Sequence, residues 1–243
     1  MDTNQENLSS ADKKNFDVQE KLGKAELFLD NNKKIVWIIV GVVSVIVAGV
    51  VGYKYWYLPD VEQSAQKAAF YSFMNFEKDS LNLAIKGGEK IRTSDNKNIT
   101  TLGLQKIEEE FSGTKTANLA TYQLGCVYMK QGKFQSAIEK FEEFSSDDAI
   151  VSAIAMGAIG DCYVELKKPE DGVKYYLKAA DKNPNNFTTP IFLKKAGMTS
   201  EYLKKYSEAV GIYERIQKEY GKTQEGRDIT KYITRAKLLG NLN

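Results

Sequence analysis

Apolar and polar residues follow two different patterns along this chain. Residues 35–53 form an uncharged run without Pro, Asn or Gln, and lysines flank it on both sides. At about 1.5 Å per residue, a helix of this length crosses the hydrocarbon core of a bilayer. Residues 35–57 are therefore predicted to be a transmembrane helix. Beyond residue 58, apolar residues recur at helical spacing among many charges.

A buried core segment and a cleaved signal peptide are the alternatives for this run. Nineteen residues are too many for a buried strand. The 34 residues before it are too many for an ordinary signal-peptide n-region, and no convincing A-x-A cleavage site follows. An uncleaved single span is the interpretation we adopt.

The distribution of lysine predicts the orientation of the span. Lysines near its ends are more numerous on the N-terminal side (Lys21, Lys24, Lys33, Lys34) than on the C-terminal side (Lys54, Lys67). The positive-inside rule places the N-terminus in the cytoplasm and the large C-terminal part across the membrane. The aromatic cluster of residues 53–57 then lies at the outer interface.

The tail, residues 1–34, carries a short helical stripe. Val18, Leu22, Ala25 and Leu29 recur at helical spacing. The stripe predicts a short cytoplasmic helix, which either contacts a partner or leans on the bilayer.

A fixed period appears in the second half of the chain. Gly125, Gly160 and Gly197 lie 35 and 37 residues apart. Small residues follow twelve positions later (Ala137, Gly172, Ala209), and aromatic residues follow sixteen positions later (Phe141, Tyr176, Tyr213). Two helices, A and B, in about 34 residues, with small residues where they cross, are the tetratricopeptide repeat (TPR) pattern.

The period predicts the helices. The expected A/B pairs are 117–130/134–145, 149–166/170–181 and 188–203/206–219, and a capping helix follows at 225–240. A single pair cannot bury its apolar face alone, so the repeats must stack. Residues 113–222 are predicted to be three TPR repeats and 223–243 the cap. The predicted fold class is all-α: a TPR solenoid of about four helix pairs plus a capping helix, on a single N-terminal transmembrane helix.

Residues 58–112 are less regular. Two helical pieces, with Ala84 at a small-residue position, are followed by the polar stretch 92–98 and a third apolar-periodic piece around residues 102–111. This segment is predicted to be a degenerate N-terminal repeat with an insertion.

Composition narrows the possible chemistry. The formal net charge is +2 with no long basic block, which disfavours nucleic acid as a partner. The chain has no His, the commonest general base and metal ligand. Its two cysteines, Cys126 and Cys162, fit no zinc pattern; two buried thiols or a disulfide are both possible. We predict a non-enzyme with no catalytic, cofactor or metal site and no small-molecule substrate.

The predicted binding site is the groove lined by the A helices. Groove positions are expected to lie outside the contact between paired helices. The candidate residues are Tyr122, Met129, Asp161, Glu165, Lys194, Met198 and Tyr202. Met and aromatic side chains suit an extended or unfolded client. Alternatively, they pack against the capping helix or neighbouring repeats.

Within the span, Ser44, Ala48 and Gly52 recur every four residues. Small residues at this spacing let two transmembrane helices approach closely, so they are a candidate transmembrane contact.

Several segments also resemble a known family. The span after Lys33-Lys34 and the segments FEKDSLNLAIKG, GTKTANLATYQLG, FSSDDAIVSAIAMGAIGD and NNFTTPIFLKKAG are similar to the YfgM-like family of membrane-anchored TPR proteins, in the form found in Bacteroidetes-type bacteria. The resemblance extends from about Lys33 to Leu239.

The resemblance implies a location and partners. It implies a single-pass protein of the bacterial inner membrane whose repeat domain lies in the periplasm. It also implies an ancillary subunit of the Sec translocon that docks a chaperone or an emerging client protein. The alternative is a structural scaffold for another envelope complex, in cell division or outer-membrane assembly.

Overall fold

The computed structural model describes residues 21, 28–29, 31–93 and 96–242. The chain divides into two compact units, Met1–Pro59 and Asp60–Asn243. Most of the predicted tail helix, 12–34, lies outside the described residues.

Helix α1 (Lys33–Gly52) contains the apolar run, and none of its residues is buried. Among the described residues, one helical stretch, Lys33–Glu77, is long and apolar enough to cross a membrane. By length and composition it is a candidate single membrane span.

The aromatic cluster after α1 is a π-helix, Tyr53–Tyr57, before α2 begins at Leu58. The Leu58 amide donates to the Tyr53 carbonyl, five residues back. Pro59 follows, and a proline ring clashes with the carbonyl four residues before it in a regular α-helix. The wider π turn leaves room for the ring and lets helical structure continue past the proline.

The first part of the second unit is not purely helical. Its elements are α2 (Leu58–Glu77), α3 (Leu81–Lys86), β1 (Gly87–Arg92), β2 (Asn98–Leu102) and α4 (Leu104–Glu110). The two strands pair antiparallel as a hairpin. The sequence predicted a polar insertion at residues 92–98 and no strands; the structure places a hairpin over residues 87–102.

Two glycines join the hairpin to the neighbouring helices. Gly87 has φ 62°, and a Cβ there would lie 2.5 Å from the Gly103 amide nitrogen. The Ser72 hydroxyl of α2 donates to the Leu102 carbonyl at the end of β2. The close backbone approach and this hydrogen bond fix the hairpin against the first helices, and both depend on residues distant in sequence.

Three helix pairs and one further helix follow. They are α5 (Lys115–Lys130) with α6 (Phe134–Glu143), α7 (Ala149–Glu165) with α8 (Pro169–Lys182), α9 (Thr189–Tyr202) with α10 (Tyr206–Tyr220), and α11 (Gln224–Leu239). All begin and end within two residues of the predicted bounds. The predicted all-α TPR solenoid is confirmed, with the hairpin as an addition.

The turns between A and B helices repeat in their backbone conformation. Gly132, Lys167 and Lys204 each have a positive φ, of 73°, 61° and 60°. In each turn the next residue's amide donates five residues back, as Lys168 does to Tyr163. This left-handed closure ends each A helix and starts its partner.

The spaced glycines lie where paired helices touch. A Cβ at Gly125 would lie 2.8 Å from the Phe141 ring, and a Cβ at Gly160 would lie 2.7 Å from the Tyr176 ring. The same contact joins Gly197 to Tyr213. The glycines therefore allow each aromatic ring of helix B to lie directly on helix A.

Ion pairs connect successive repeats at one repeat length. Asp161–Lys195, Asp181–Arg215 and Glu201–Arg235 are each 34 residues apart in the chain, with oxygen–nitrogen distances of 2.8, 2.7 and 2.9 Å. Each pair joins helices of successive repeats.

Candidate functional site

The A helices expose a row of aliphatic side chains. Leu119 on α5, Ile154 on α7 and Ile191 on α9 are 42, 39 and 41% exposed. They lie 35 and 37 residues apart, which is the spacing of the repeat glycines. We call Leu119, Ile154 and Ile191 the aliphatic row.

Two more apolar residues are exposed: Ile150 on α7, and Phe187 in the loop between α8 and α9. Phe187, in the loop before α9, is 73% exposed. The Asn185 side-chain oxygen accepts hydrogen bonds from the amides of Phe187 and Thr188, both at 2.8 Å. These bonds hold the backbone of the loop, so binding at Phe187 would mainly have to order its side chain.

Two of the predicted groove residues, Tyr122 and Met129, are partly buried and pack against the hydrophobic core. The Tyr122 ring lies 5.7 Å from the Phe141 ring and 5.1 Å from the Phe144 ring, and Met129 packs on the same cluster. Burial raises the pKa of the Tyr122 hydroxyl to about 12. The expectation that Tyr122 lies outside the contact between paired helices is therefore wrong.

Asp161 and Lys194, also predicted for the groove, have partners within the fold. The Asp161 carboxylate accepts hydrogen bonds from the Tyr176 hydroxyl at 2.5 Å and from Lys195 Nζ at 2.8 Å. Burial, and then this bond, raise the pKa of Tyr176. Lys194 Nζ lies 4.8 Å from the centre of the Tyr232 ring. Both side chains are therefore tied to neighbouring helices.

The remaining predicted residues, Glu165, Met198 and Tyr202, are exposed. Tyr202 is 75% exposed. Met198 and Tyr202 line a surface pocket of about 420 Å³. Its other lining residues are Val164, Lys167, Pro169 and Thr199. An apolar side chain of a partner fits this pocket chemically.

Sequence reasoning placed Leu119, Ile154 and Ile191 at equivalent groove positions but did not select them as binding residues, and it missed Ile150 and Phe187. The repeat alignment contained the signal for the row, because Leu119, Ile154 and Ile191 occupy equivalent positions. Nothing in the sequence separated them from Tyr122, which occupies a neighbouring groove position but is half-buried.

The two cysteines are free thiols. Burial raises the pKa of both, that of Cys162 to about 12. Such thiols carry little thiolate at neutral pH and are poor nucleophiles. No group of three or more His, Cys, Asp or Glu able to hold a metal ion occurs among residues 31–93 and 96–242 or the few others described.

Ser44, Ala48 and Gly52 are not buried in α1. A Cβ built on Gly52 meets no atom within 4 Å. Among the residues that the structure describes, none crowds that end of the helix.

The chain has a candidate membrane span followed by repeated A/B helix pairs. This arrangement is that of a helical-repeat protein. The sequence profile of the tetratricopeptide repeat-like domain family matches residues 27–189. The match covers well over half of the 243 residues, and the chain belongs to that family. Such repeat domains are in general non-catalytic modules for protein–protein interaction. The curated proteins include no match to this chain.

Proposed function

We propose that this protein is a non-catalytic docking platform anchored in the bacterial inner membrane. In this proposal the N-terminus is cytoplasmic and the repeat unit, Asp60–Asn243, is periplasmic. The protein acts as an ancillary subunit of the Sec translocon and docks a chaperone or a translocating client. The aliphatic row is the observation that carries the proposal.

The row supports binding of an apolar segment of a protein. Leu119, Ile154 and Ile191 are each about two-fifths exposed and lie on successive A helices. Burying such side chains yields about 25 cal/mol per Å² of apolar surface removed from water. Phe187, in the loop before α9, is a further exposed aromatic residue of a type that is enriched in the cores of interfaces. The exposed apolar residues of a client protein can pack on this surface.

The membrane anchor supports docking of a weak partner. Tethering raises the effective concentration of a binding module near partners in the same membrane, and avidity gains reach about 10²–10⁴-fold. Ser44, Ala48 and Gly52 are proposed to contact another transmembrane helix, because small residues allow close approach.

Site-specific photocrosslinking tests the docking function. A photoreactive amino acid is placed at Ile154, and at exposed Lys174 on α8 as the matched control, in the full chain expressed in its own host at equal levels. We expect Ile154 to crosslink to Sec subunits, a periplasmic chaperone or translocating clients, and Lys174 not to do so. Equal crosslinking from both positions would contradict docking at the aliphatic row.

The crosslinked species also distinguish the kind of complex. Cell-division or outer-membrane assembly proteins at Ile154, without Sec subunits or clients, would replace the translocon role with that of an envelope scaffold. A reporter protein that is active only in the cytoplasm, fused after Asn243, tests the topology. Activity of this reporter would contradict the proposed orientation.

A further inference from the structure

Four exposed apolar side chains lie at the starts of the A helices α7 and α9. Ile150 and Ile154 are one turn apart on α7, and Phe187 and Ile191 have the same spacing at the start of α9. Each of these residues is between 39 and 73% exposed. We call the four residues the neutral patch; Ile154 and Ile191 also belong to the aliphatic row.

Close packing of the two helices brings the halves of the neutral patch together. Gly157, one turn after Ile154, lies against the ring of Phe192, the neighbour of Ile191. A Cβ on Gly157 would overlap this ring, so α7 and α9 are in direct contact here. The neutral patch is therefore continuous across two successive repeats.

The segments that carry the neutral patch contain no charged residue. Residues 149–160 and 183–193 hold only apolar side chains, hydroxyls, amides and glycine. The carboxylate of Asp148, just before α7, accepts hydrogen bonds from the Ile150 and Val151 amides at 2.8 and 2.9 Å and so caps the helix. A charge buried against such a surface finds no partner that offsets the loss of its hydration.

Charged residues return at the borders of this surface. Asp147 precedes α7, and further along the two helices Asp161 and Lys195 pair with each other at 2.8 Å. At the other end of the aliphatic row, Lys115 lies one turn before Leu119.

The dimensions of the aliphatic row limit the length of a bound segment. The row crosses three A helices, which at about 8–10 Å between neighbouring helix axes corresponds to about 16–20 Å. At about 3.3 Å per residue, about six residues of an extended chain cover this distance.

We propose that this surface selects client proteins by an uncharged apolar run of about six residues, which binds in extended form along the aliphatic row and the neutral patch. This specificity rests on the docking function proposed above and names the class of segment that the site accepts. A run with a charge in its middle binds weakly, because the charge loses water without gaining a partner.

The same chemistry favours an unfolded client over a folded chaperone. Folded proteins bury most of their large apolar residues, and those that remain exposed are usually scattered singly. A continuous uncharged apolar run is therefore accessible mainly in a chain that has not yet folded, as during translocation.

Three labelled peptides with blocked termini test this selection. SGLALVALGS is uncharged, whereas SGLDLVDLGS and SGLKLVKLGS carry two aspartates or two lysines in place of the alanines. Binding to the full chain in phosphatidylcholine nanodiscs is measured by fluorescence anisotropy, with empty nanodiscs as the blank. We expect the uncharged peptide to bind about tenfold more tightly than either charged peptide.

Variants of the row locate the binding. Ile154→Ser/Ile191→Ser should weaken binding of the uncharged peptide about tenfold, because two aliphatic contacts are lost. Leu238→Ser, the matched control, alters an exposed leucine of α11 outside the row and should bind as wild type does. Ile154→Lys should make the aspartate peptide the tightest of the three, because the new ammonium group pairs with a carboxylate. Unchanged thermal melting verifies that each variant folds.

Equal affinity of the wild type for the three peptides would overturn the selection of uncharged runs. If Ile154 still crosslinked to Sec subunits or clients in cells, the docking function would stand without this selection. Absence of both peptide binding and crosslinking would contradict the docking function as well. A folded chaperone as the sole crosslinked partner, with no peptide bound, would also overturn the proposed specificity.

Discussion

At the scale of single residues, the repeat depends on glycines that make room for aromatic rings. Gly160 lies against Tyr176, whereas Gly211 on the exposed side of α10 has no atom within 4 Å of a built Cβ. Glycine is therefore required for close packing at position 160 but not at position 211.

Gly160→Ala should lower the free energy of unfolding by about 1–3 kcal/mol, because the new methyl group overpacks the Tyr176 ring. Gly211→Ala, the matched control, should leave it unchanged or raise it by about 0.4–1 kcal/mol, since alanine favours the helix. Urea unfolding of both variants measures the difference. Equal effects would show that the contact between α7 and α8 is misassigned.

Two groove tyrosines should respond oppositely to truncation. Tyr122→Ala removes a ring packed against Phe141 and should cost about 2–4 kcal/mol of stability. Tyr202→Ala removes an exposed ring and should change stability by less than about 0.5 kcal/mol. Thermal unfolding compares them. A strongly destabilised Tyr202→Ala variant would argue against an exposed Tyr202.

At the scale of elements, α2 is fastened to the first complete repeat through Glu62. Its carboxylate accepts hydrogen bonds from the Lys115 amide at 2.7 Å and the Thr116 hydroxyl at 2.6 Å, at the start of α5. Burial alone raises the pKa of Glu62, but hydrogen bonds from Thr116, Gln66 and Lys115 outweigh it and lower the pKa below 4.5.

This lowered pKa predicts a pH dependence. A carboxylate with a lower pKa in the folded state contributes stability above its unfolded pKa, and that contribution is lost as the pH falls through its folded pKa. Between pH 6 and pH 3, wild type should therefore lose more stability than Glu62→Gln. Exposed Glu139→Gln on α6 should follow wild type. Urea midpoints at each pH provide the comparison; parallel curves for all three proteins would contradict the role of Glu62.

The turns between A and B helices offer a second prediction at this scale. Lys204 adopts a left-handed conformation that costs a non-glycine residue about 1–2 kcal/mol, and Gly132 occupies the equivalent turn. Lys204→Gly should raise stability by up to about 1 kcal/mol, because relief of strain exceeds the added chain entropy. Gly132→Ala should lower it by a similar amount. A destabilised Lys204→Gly variant would show that the lysine side chain itself stabilises the turn.

At the scale of the whole molecule, the proposed membrane anchor and the repeat unit should contribute separably to partner binding. Replacing residues 1–57 by a cleavable signal peptide frees the repeat unit in the periplasm and should reduce partner crosslinking at Ile154 strongly, since the avidity from tethering reaches about 10²–10⁴-fold. Replacing Ser44, Ala48 and Gly52 by leucine keeps the tether. Crosslinking yield in cells at equal expression compares the variants.

The crosslinking yield of the leucine variant shows whether α1 makes a specific contact in the membrane. Loss of crosslinks in the leucine variant would indicate a specific helix contact within the membrane, whereas their retention would make α1 a passive tether. Full crosslinking by the freed repeat unit would contradict the need for an anchor.

The sequence by itself determined the features that arise from local or periodic constraints. An uncharged run long enough for a bilayer identified α1, because polar groups are costly in hydrocarbon. The spacing of the glycines identified the bounds of the paired helices to within two residues, because the same contact between a small residue and an aromatic ring recurs in each repeat.

Only the tertiary structure decided which side chains of the A helices remain exposed and can contact a partner. Tyr122 and Leu119 both lie on α5 at groove positions, yet Tyr122 packs on Phe141 and Phe144 while Leu119 faces solvent. The hairpin and the Glu62 contact likewise join residues far apart in the chain. Exposure and partnership depend on neighbours contributed by other elements, and no local pattern encodes where those neighbours come to lie.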